Sequence, residues 1–240
     1  MAEVPVTQEL LAKAFGVLKH GEILVGGQAL AFWAAHYRVS LDSLAFTGAI
    51  SKDVDVLGDR ESAIAIANAT QGTVELVDHT HALTALIGTV KVRLSGDDYA
   101  IIDVLHRLLQ TNRAELQAIR ERALDVEVAG VAMRVMHPLD VLSSRIANIR
   151  WREEKQDDQG VAQLRLAILM AAAYLYDIAS FDQELAMYLV EQTVKICKAS
   201  EAAWVAKHFD VTYLPAIPQD AIENSNFQEK RLPRIRQELG

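Results

Sequence analysis

The sequence lacks the features that mark secreted, disulfide-bonded or membrane-spanning proteins. Cys197 is the single cysteine among 240 residues, so no disulfide can form within the chain. Residues 1–20 lack a basic segment followed by an apolar run, which is the pattern of a secretory signal. The longest apolar-rich stretch, residues 164–176, contains Arg165 and is shorter than the roughly 20 residues that cross a bilayer. We therefore expect a cytoplasmic protein without a membrane segment.

An excess of positive charge is also absent. The formal net charge is −8, whereas proteins held on nucleic acid mainly through phosphate contacts usually carry a basic face. The C-terminal tail is a local exception, with basic residues on both sides of Pro233. They are Lys230, Arg231, Arg234 and Arg236. This cluster is either a solvated terminal segment or a docking arm for an acidic partner, RNA or a second subunit.

The composition and the residue pattern favour an α+β fold. Hydrophobic residues make up 51% of the chain and charged residues 23%, which favours a packed core over disorder. Up to residue 137, strand patterns such as residues 89–94 and 99–105 alternate with helical patterns. From Pro138 onward the patterns are helical. We expect a mixed β-sheet with flanking helices, followed by a C-terminal helical region.

The same change of pattern at residue 137 sets the expected domains. Residues 1–137 are expected to form an α/β domain, and residues 138–212 a helical domain. Residues 213–240 contain Pro215 and Pro218, which interrupt regular structure, so we expect a loosely ordered tail.

The most informative pattern is a glycine pair followed downstream by two aspartates. Gly26-Gly27 stands between a short apolar strand pattern and an alanine-rich helical pattern, and Asp53-Val54-Asp55 lies in an alternating segment. Carboxylates at i and i+2 of a strand share a face and repel each other unless a cation lies between them. Mg²⁺ prefers such oxygen ligands. Glycines before a helix let phosphate oxygens approach backbone N–H groups, so the combination indicates phosphoryl or nucleotidyl transfer.

These residues resemble the signature of the nucleotidyltransferase superfamily. The matching segments are Ile23-Leu24-Val25-Gly26-Gly27-Gln28-Ala29-Leu30 and Lys52-Asp53-Val54-Asp55-Val56-Leu57. The Gly-Gly-x-Ala-Leu form is similar to the minimal nucleotidyltransferases of bacterial toxin–antitoxin and abortive-infection systems. The likeness covers about residues 20–165, and in the family a third carboxylate stands on a later strand, where Asp103 is the matching residue.

The resemblance implies a role for each matching residue. Asp53, Asp55 and Asp103 would hold two Mg²⁺ ions, and Asp103 would assist deprotonation of the acceptor hydroxyl. The remaining residues would contact the nucleoside triphosphate (NTP): Gly26, Gly27 and Gln28 at the β- and γ-phosphates, and Arg145 or Lys155 at the leaving pyrophosphate. The acceptor would be a small molecule, a protein or a tRNA.

Several departures from the family pattern keep alternatives open. Residues 39–51 read as an inserted loop, serine is missing at the second glycine position, and Arg145 stands where lysine is more usual. The chain is therefore either an active enzyme or an inactive nucleotidyltransferase-like binding module, with an antitoxin or a second copy as a possible partner. Without any ligand role, Asp53 and Asp55 would be a solvated strand edge and the glycine pair an ordinary turn. His79 and His81 lack further ligands at zinc spacing, so zinc is not expected.

Overall fold

The computed structural model describes residues 3–4, 6–19, 21–39, 52–78, 84–94, 96 and 98–240. Most of the expected inserted loop, and the segment with His79 and His81, therefore lie outside the described residues. The chain divides into two compact units. The first comprises Met1–Ala31 and Gly48–His137, and the second comprises Phe32–Thr47 and Pro138–Gly240.

The first unit is built on a seven-stranded mixed sheet. Its strands are β1 (Ile23–Val25), β2 (Val54–Leu57), β3 (Thr73–Leu76), β4 (Leu86–Arg93), β5 (Tyr99–Leu105), β6 (Leu124–Val128) and β7 (Val131–Val135). Their order across the sheet is β3-β4-β5-β2-β1-β7-β6. Two neighbouring pairs, β2 with β5 and β1 with β7, are parallel, and the other neighbours are antiparallel. The expected α+β class with a mixed sheet is confirmed.

The helices α1 (Gln8–Phe15) and α3 (Arg60–Thr70) pack together against this sheet. Helix α3 contacts β3, β4 and β5, and α1 contacts β6 and β7. Two further helices follow strands: α2 (Gly26–His36) and α4 (Arg113–Arg122). The division between the two units falls within α2, after Ala31.

Alternation of apolar and polar residues gives the central strands two different faces. Val90, Val92, Ile102 and Val104 are buried on one face. The intervening residues on β4, β5 and β2 lie on the other, less buried face. We call it the polar face, and its residues include Thr89, Lys91, Tyr99, Asp103 and Asp55.

The second unit is helical in the part of the chain that the structure describes. Its helices are α5 (Pro138–Trp151), α6 (Asp158–Ala179), α7 (Gln183–Cys197), α8 (Ser200–Phe209) and α9 (Leu232–Leu239). Helix α5 packs against α6 and α8, and α6 packs against α7. Short 3₁₀ turns cover Glu153–Lys155 and Leu214–Ala216, and a π-helical segment covers Phe227–Arg231.

Helix α6 is longer than its apolar sequence stretch indicated. It spans 22 residues, and by length and composition alone it could cross a membrane. However, 56% of its most apolar window is buried inside the structure, as in a core helix of a soluble protein. One such helix is weak evidence for a membrane span.

The tail differs from the expected loose order. Four apolar side chains of the tail are buried: Phe227, Leu232, Ile235 and Leu239. The Nε and Nη2 atoms of Arg231 donate hydrogen bonds of 2.6 and 2.9 Å to the Glu191 carboxylate. Prolines do not break these elements, because they stand in first turns, where a backbone N–H has no intrahelical partner to lose. At least one residue of the basic cluster therefore holds the tail on α7.

Candidate carboxylate site

The polar face brings two of the predicted acids side by side. Strands β2 and β5 run parallel, and their register pairs Asp55 with Asp103. Residues paired in this way project from the same face of neighbouring strands, which lie about 4.8 Å apart. Asp55 and Asp103 are 48 residues apart in the sequence, and the sheet makes them direct neighbours.

Asp103 is fixed on its other side by Thr89. Strand β4 pairs Thr89 with Asp103, and the threonine hydroxyl donates a 2.7 Å hydrogen bond to Asp103 Oδ1. Burial raises the pKa of Asp103, the hydrogen bond from Thr89 opposes this change, and the negative charge of Asp53 raises the pKa further. Asp53 thus lies close enough to influence Asp103 electrostatically.

Gly26 packs directly against the Asp55 carboxyl group. Val25 pairs with Asp55 across β1 and β2, and the next residue, Gly26, has φ +68. A Cβ atom on Gly26 would stand 2.8 Å from Asp55 Cγ and overlap a carboxylate oxygen. Glycine is therefore required here for close approach as well as for its backbone angle. The Asp55 carboxylate lies at the start of α2, where the helix dipole favours negative charge.

The other two residues of the predicted phosphate cradle also lie in the first turn of α2. Gly27 is buried and Gln28 is half-buried. The sequence predicted that this helix start would hold phosphates, and the structure shows that an aspartate of the site already borders it. A phosphate bound here would therefore lie beside Asp55.

Glu3 is a residue of this site that sequence reasoning missed. It forms an isolated bridge with Tyr99 at the start of β5, and the N–H of Val4 donates a 3.0 Å hydrogen bond to the Tyr99 carbonyl. The Glu3 carboxyl group hydrogen-bonds to Asp53, and this contact, with burial and the charge of Asp53, raises the pKa of Glu3. No local pattern in the sequence predicts a pairing between positions 3 and 99.

Two lysines bring positive charge to the same region. Lys91 lies two residues after Thr89 on β4, and its Nζ stands 3.8 Å from the centroid of the Tyr99 ring. Lys52 acts on Glu3 electrostatically and opposes the rise of its pKa. Charged groups of both signs therefore surround the start of β5.

Arg145 and Lys155 belong to the second unit. Arg145 is buried on α5, and its Nη1 donates a 3.1 Å hydrogen bond to Gln163 Oε1 on α6. Lys155 ends the 3₁₀ turn between these helices and is half-buried. The contact with Gln163 gives Arg145 a structural role between α5 and α6. The proposed contacts of both residues with a nucleotide stay predictions.

Cys197 has the environment of a core residue. It is buried at the end of α7, and burial raises the pKa of its thiol to about 12. A thiol with so high a pKa is almost entirely protonated at neutral pH and is a poor nucleophile.

The acids of the site meet in pairs. Among the described residues, no three His, Cys, Asp or Glu side chains are grouped so that they could hold a metal ion by themselves. Instead, Asp55 stands beside Asp103, and Glu3 contacts Asp53. Mg²⁺ is commonly held by one or two carboxylates, with phosphate oxygens and water completing its shell. The donor set, bordered by the glycine that makes room for Asp55, fits Mg²⁺ bound together with a nucleotide.

No protein-family model matches the sequence, and no curated protein matches it. The fold and the side chains of the polar face therefore carry the functional argument.

Proposed function

We propose that this chain is a Mg²⁺-dependent nucleotidyltransferase that moves a nucleotidyl group from an NTP to an acceptor hydroxyl. The observation that carries the proposal is the register of β2 and β5, which sets Asp55 beside Asp103 on the polar face. The close packing of Gly26 against Asp55 supports it, because it joins the acids to the start of a helix. This arrangement agrees with the family resemblance of residues 20–165.

Each residue of the site would make a distinct contribution. Asp53, Asp55 and Asp103 would hold Mg²⁺, which when bound supplies positive charge against the phosphates. The backbone N–H groups of Gly26 and Gly27, with the Gln28 side chain, would bind the β- and γ-phosphates. Thr89 orients Asp103 through its hydrogen bond.

The reaction would exchange one phosphoester bond for another. The acceptor oxygen would attack the α-phosphorus and lose its proton, which Asp103 would accept. The bond between the α-phosphorus and the bridging oxygen then breaks, and pyrophosphate leaves with the electron pair. The acceptor is a small molecule, a protein or a tRNA, and the protein works in the cytoplasm.

A transfer assay tests this function and identifies the acceptor class. The full chain is incubated with each α-³²P-labelled NTP, Mg²⁺ and separate pools of tRNA, cell protein and small molecules, while pyrophosphate release is measured. We expect label in one pool, with equal pyrophosphate release, and a loss of at least about a hundredfold in Asp55→Asn. Glu127→Gln, which changes an exposed carboxylate on β6, is the matched control and should retain full activity. Transfer by Asp55→Asn at the wild-type rate would rule out the proposed site.

A non-catalytic nucleotidyltransferase-like binding module is the second candidate. It is favoured by the absence of a three-ligand metal group among the described residues. In this case the chain would bind a nucleotide, or a partner such as an antitoxin or a second copy, without turnover. The transfer assay separates the candidates, because a module would bind an NTP and leave its label unincorporated.

A further inference from the structure

The hairpin formed by α6 and α7 carries the three most exposed large hydrophobic side chains in the part of the chain that the structure describes. Phe181 is 69% exposed, Tyr188 60% and Tyr176 54%, and Leu185 beside them is 40% exposed. A tight turn brings them together, since the N–H of Asp182 donates a 2.8 Å hydrogen bond to the Ile178 carbonyl. Exposed apolar residues gathered in one place are typical of interaction sites, and tyrosine and phenylalanine are enriched in protein interfaces.

Three of these residues form a ridge at the start of α7. Leu185 and Tyr188 are three positions apart, so they share a face of the helix. Phe181 directly precedes Asp182, the N-cap of α7, and lies at the beginning of this ridge. Helix α7 also packs against α6, α8 and α9, yet the ridge stays exposed. Ridges of side chains at this spacing fit the grooves of another helix.

The charges around the ridge are all of one sign. Residues 166–194 contain no lysine, arginine or histidine and four acids: Asp177, Asp182, Glu184 and Glu191. Glu191 is paired with Arg231, and the other three are exposed. An additional exposed acid, Glu223, lies beside α7, because its N–H donates a 2.9 Å hydrogen bond to the Gln183 side chain. The complementary surface is therefore apolar at its centre and basic at its border.

We propose that Tyr176, Phe181, Leu185 and Tyr188 form a docking surface for a protein partner that presents an amphipathic helix with lysine or arginine beside its apolar face. Nucleic acids and anionic membranes are attracted by basic residues, which this hairpin lacks. A second copy that used the same surface would bring the acids of both copies together. The surface belongs to the second unit, so it would serve the chain with either of the candidate functions above.

Binding of model peptides to the full chain tests this surface. The probe is a fluorescein-labelled helical peptide with leucine on one face and lysine on the other, and the reference peptide has glutamate in place of lysine. By fluorescence anisotropy, we expect the lysine peptide to bind at least about tenfold more tightly than the reference. The variant Phe181→Ser/Tyr188→Ser should weaken its binding at least about tenfold. The matched control is Val17→Ser/Ile64→Ser, which removes two exposed apolar side chains of the first unit and should bind as wild type does.

A second variant tests the contribution of charge. Asp177→Asn/Glu184→Gln should weaken binding of the lysine peptide about fivefold and make the remaining affinity less sensitive to salt. Asp182 is left unchanged, because its side chain accepts a 2.9 Å hydrogen bond from the N–H of Leu185 and caps α7. An affinity that this variant leaves unchanged would contradict the charge complementarity.

Other outcomes would overturn the proposal. Wild type that binds neither peptide, or both equally, would exclude a basic helical partner, and equal binding by Phe181→Ser/Tyr188→Ser would place the peptide elsewhere. Sedimentation velocity checks for a dimer of the chain. A dimer that dissociates in this variant would assign the surface to a second copy. Binding of wild type to phosphatidylserine vesicles that is lost in the same variant would assign it to a membrane.

Discussion

At the scale of single residues, two of the site's carboxylates are each in close contact with one particular neighbour. Gly26 makes room for Asp55 by having no Cβ atom and by adopting φ +68. Thr89 donates a hydrogen bond to Asp103, which burial would otherwise leave at a greater disadvantage in its charged form. Both contacts tie the acids to fixed positions on the polar face. Each contact can be tested by one substitution.

Gly26→Ala should destabilise the protein for two separable reasons. Its backbone angle disfavours a side chain by about 1–2 kcal/mol, and the new Cβ would overlap the Asp55 carboxylate. Gly130→Ala is the matched control, because Gly130 has φ +80 and no atom within 4 Å of an added Cβ. We expect a larger loss of unfolding free energy at Gly26, measured by urea denaturation. Equal losses would show that the space beside Asp55 accommodates a methyl group.

Asp103→Asn should stabilise the metal-free protein at neutral pH. A carboxyl group whose pKa is higher in the folded state than in the unfolded state destabilises the fold once it ionises. Asparagine keeps an oxygen that can accept the Thr89 hydrogen bond, and it removes the charge. The gain in melting temperature should shrink as pH falls through the raised pKa, because wild-type Asp103 is then protonated too. Melting curves from pH 7 to pH 4 check this, and a gain that does not change with pH would contradict it.

At the scale of secondary structure, local patterns predicted several elements well. Strand β5 has the bounds predicted for it, residues 99–105. Strand β4 begins at Leu86, three residues before the predicted start at Thr89. A register shift between Leu86 and Gly88 interrupts the regular pairing of β4 with β5. The alternation of apolar and polar residues that predicts strands is therefore lost in this first part of β4.

The parts of the site that sequence reasoning missed depend on pairings distant in sequence. Asp53 and Asp55 were proposed from a local alternating pattern, and Asp103 was proposed from the family resemblance. The positions of Glu3 and Thr89 depend on the register of β5 with its neighbours, which local patterns do not encode. The tail was also mispredicted, because proline counts do not reveal whether a proline begins a helix or breaks one.

Ile235→Ala tests whether helix α9 is packed as the structure shows. Ile235 is fully buried, and truncation of such a side chain typically costs about 2–5 kcal/mol. Gln237→Ala changes an exposed residue of the same helix and should change the unfolding free energy by less than about 0.5 kcal/mol. The measurement is urea denaturation followed by circular dichroism. A small effect at both positions would restore the interpretation of the tail as loosely ordered.

At the scale of the whole molecule, charge and site chemistry point in different directions. The net charge of −8 disfavours a broad nucleic-acid surface, whereas the proposed function requires Mg²⁺ and a nucleotide at the acids of the polar face. Lys52 and Lys91 lie near these acids and provide local positive charge. The central claim is therefore that a nucleotide and a divalent cation bind together at Asp53, Asp55 and Asp103.

The most direct test of this claim is a thermal-shift titration with ATP, GTP, CTP and UTP, each with and without Mg²⁺. It compares wild type with the double variant Asp53→Ala/Asp55→Ala and with Glu127→Gln. We predict that at least one nucleotide raises the melting temperature by about 5 °C or more at saturating concentration. The shift should require Mg²⁺, disappear in the double variant and persist in Glu127→Gln. A shift that survives in the double variant, or the lack of a shift with any of the four nucleotides, would contradict the account.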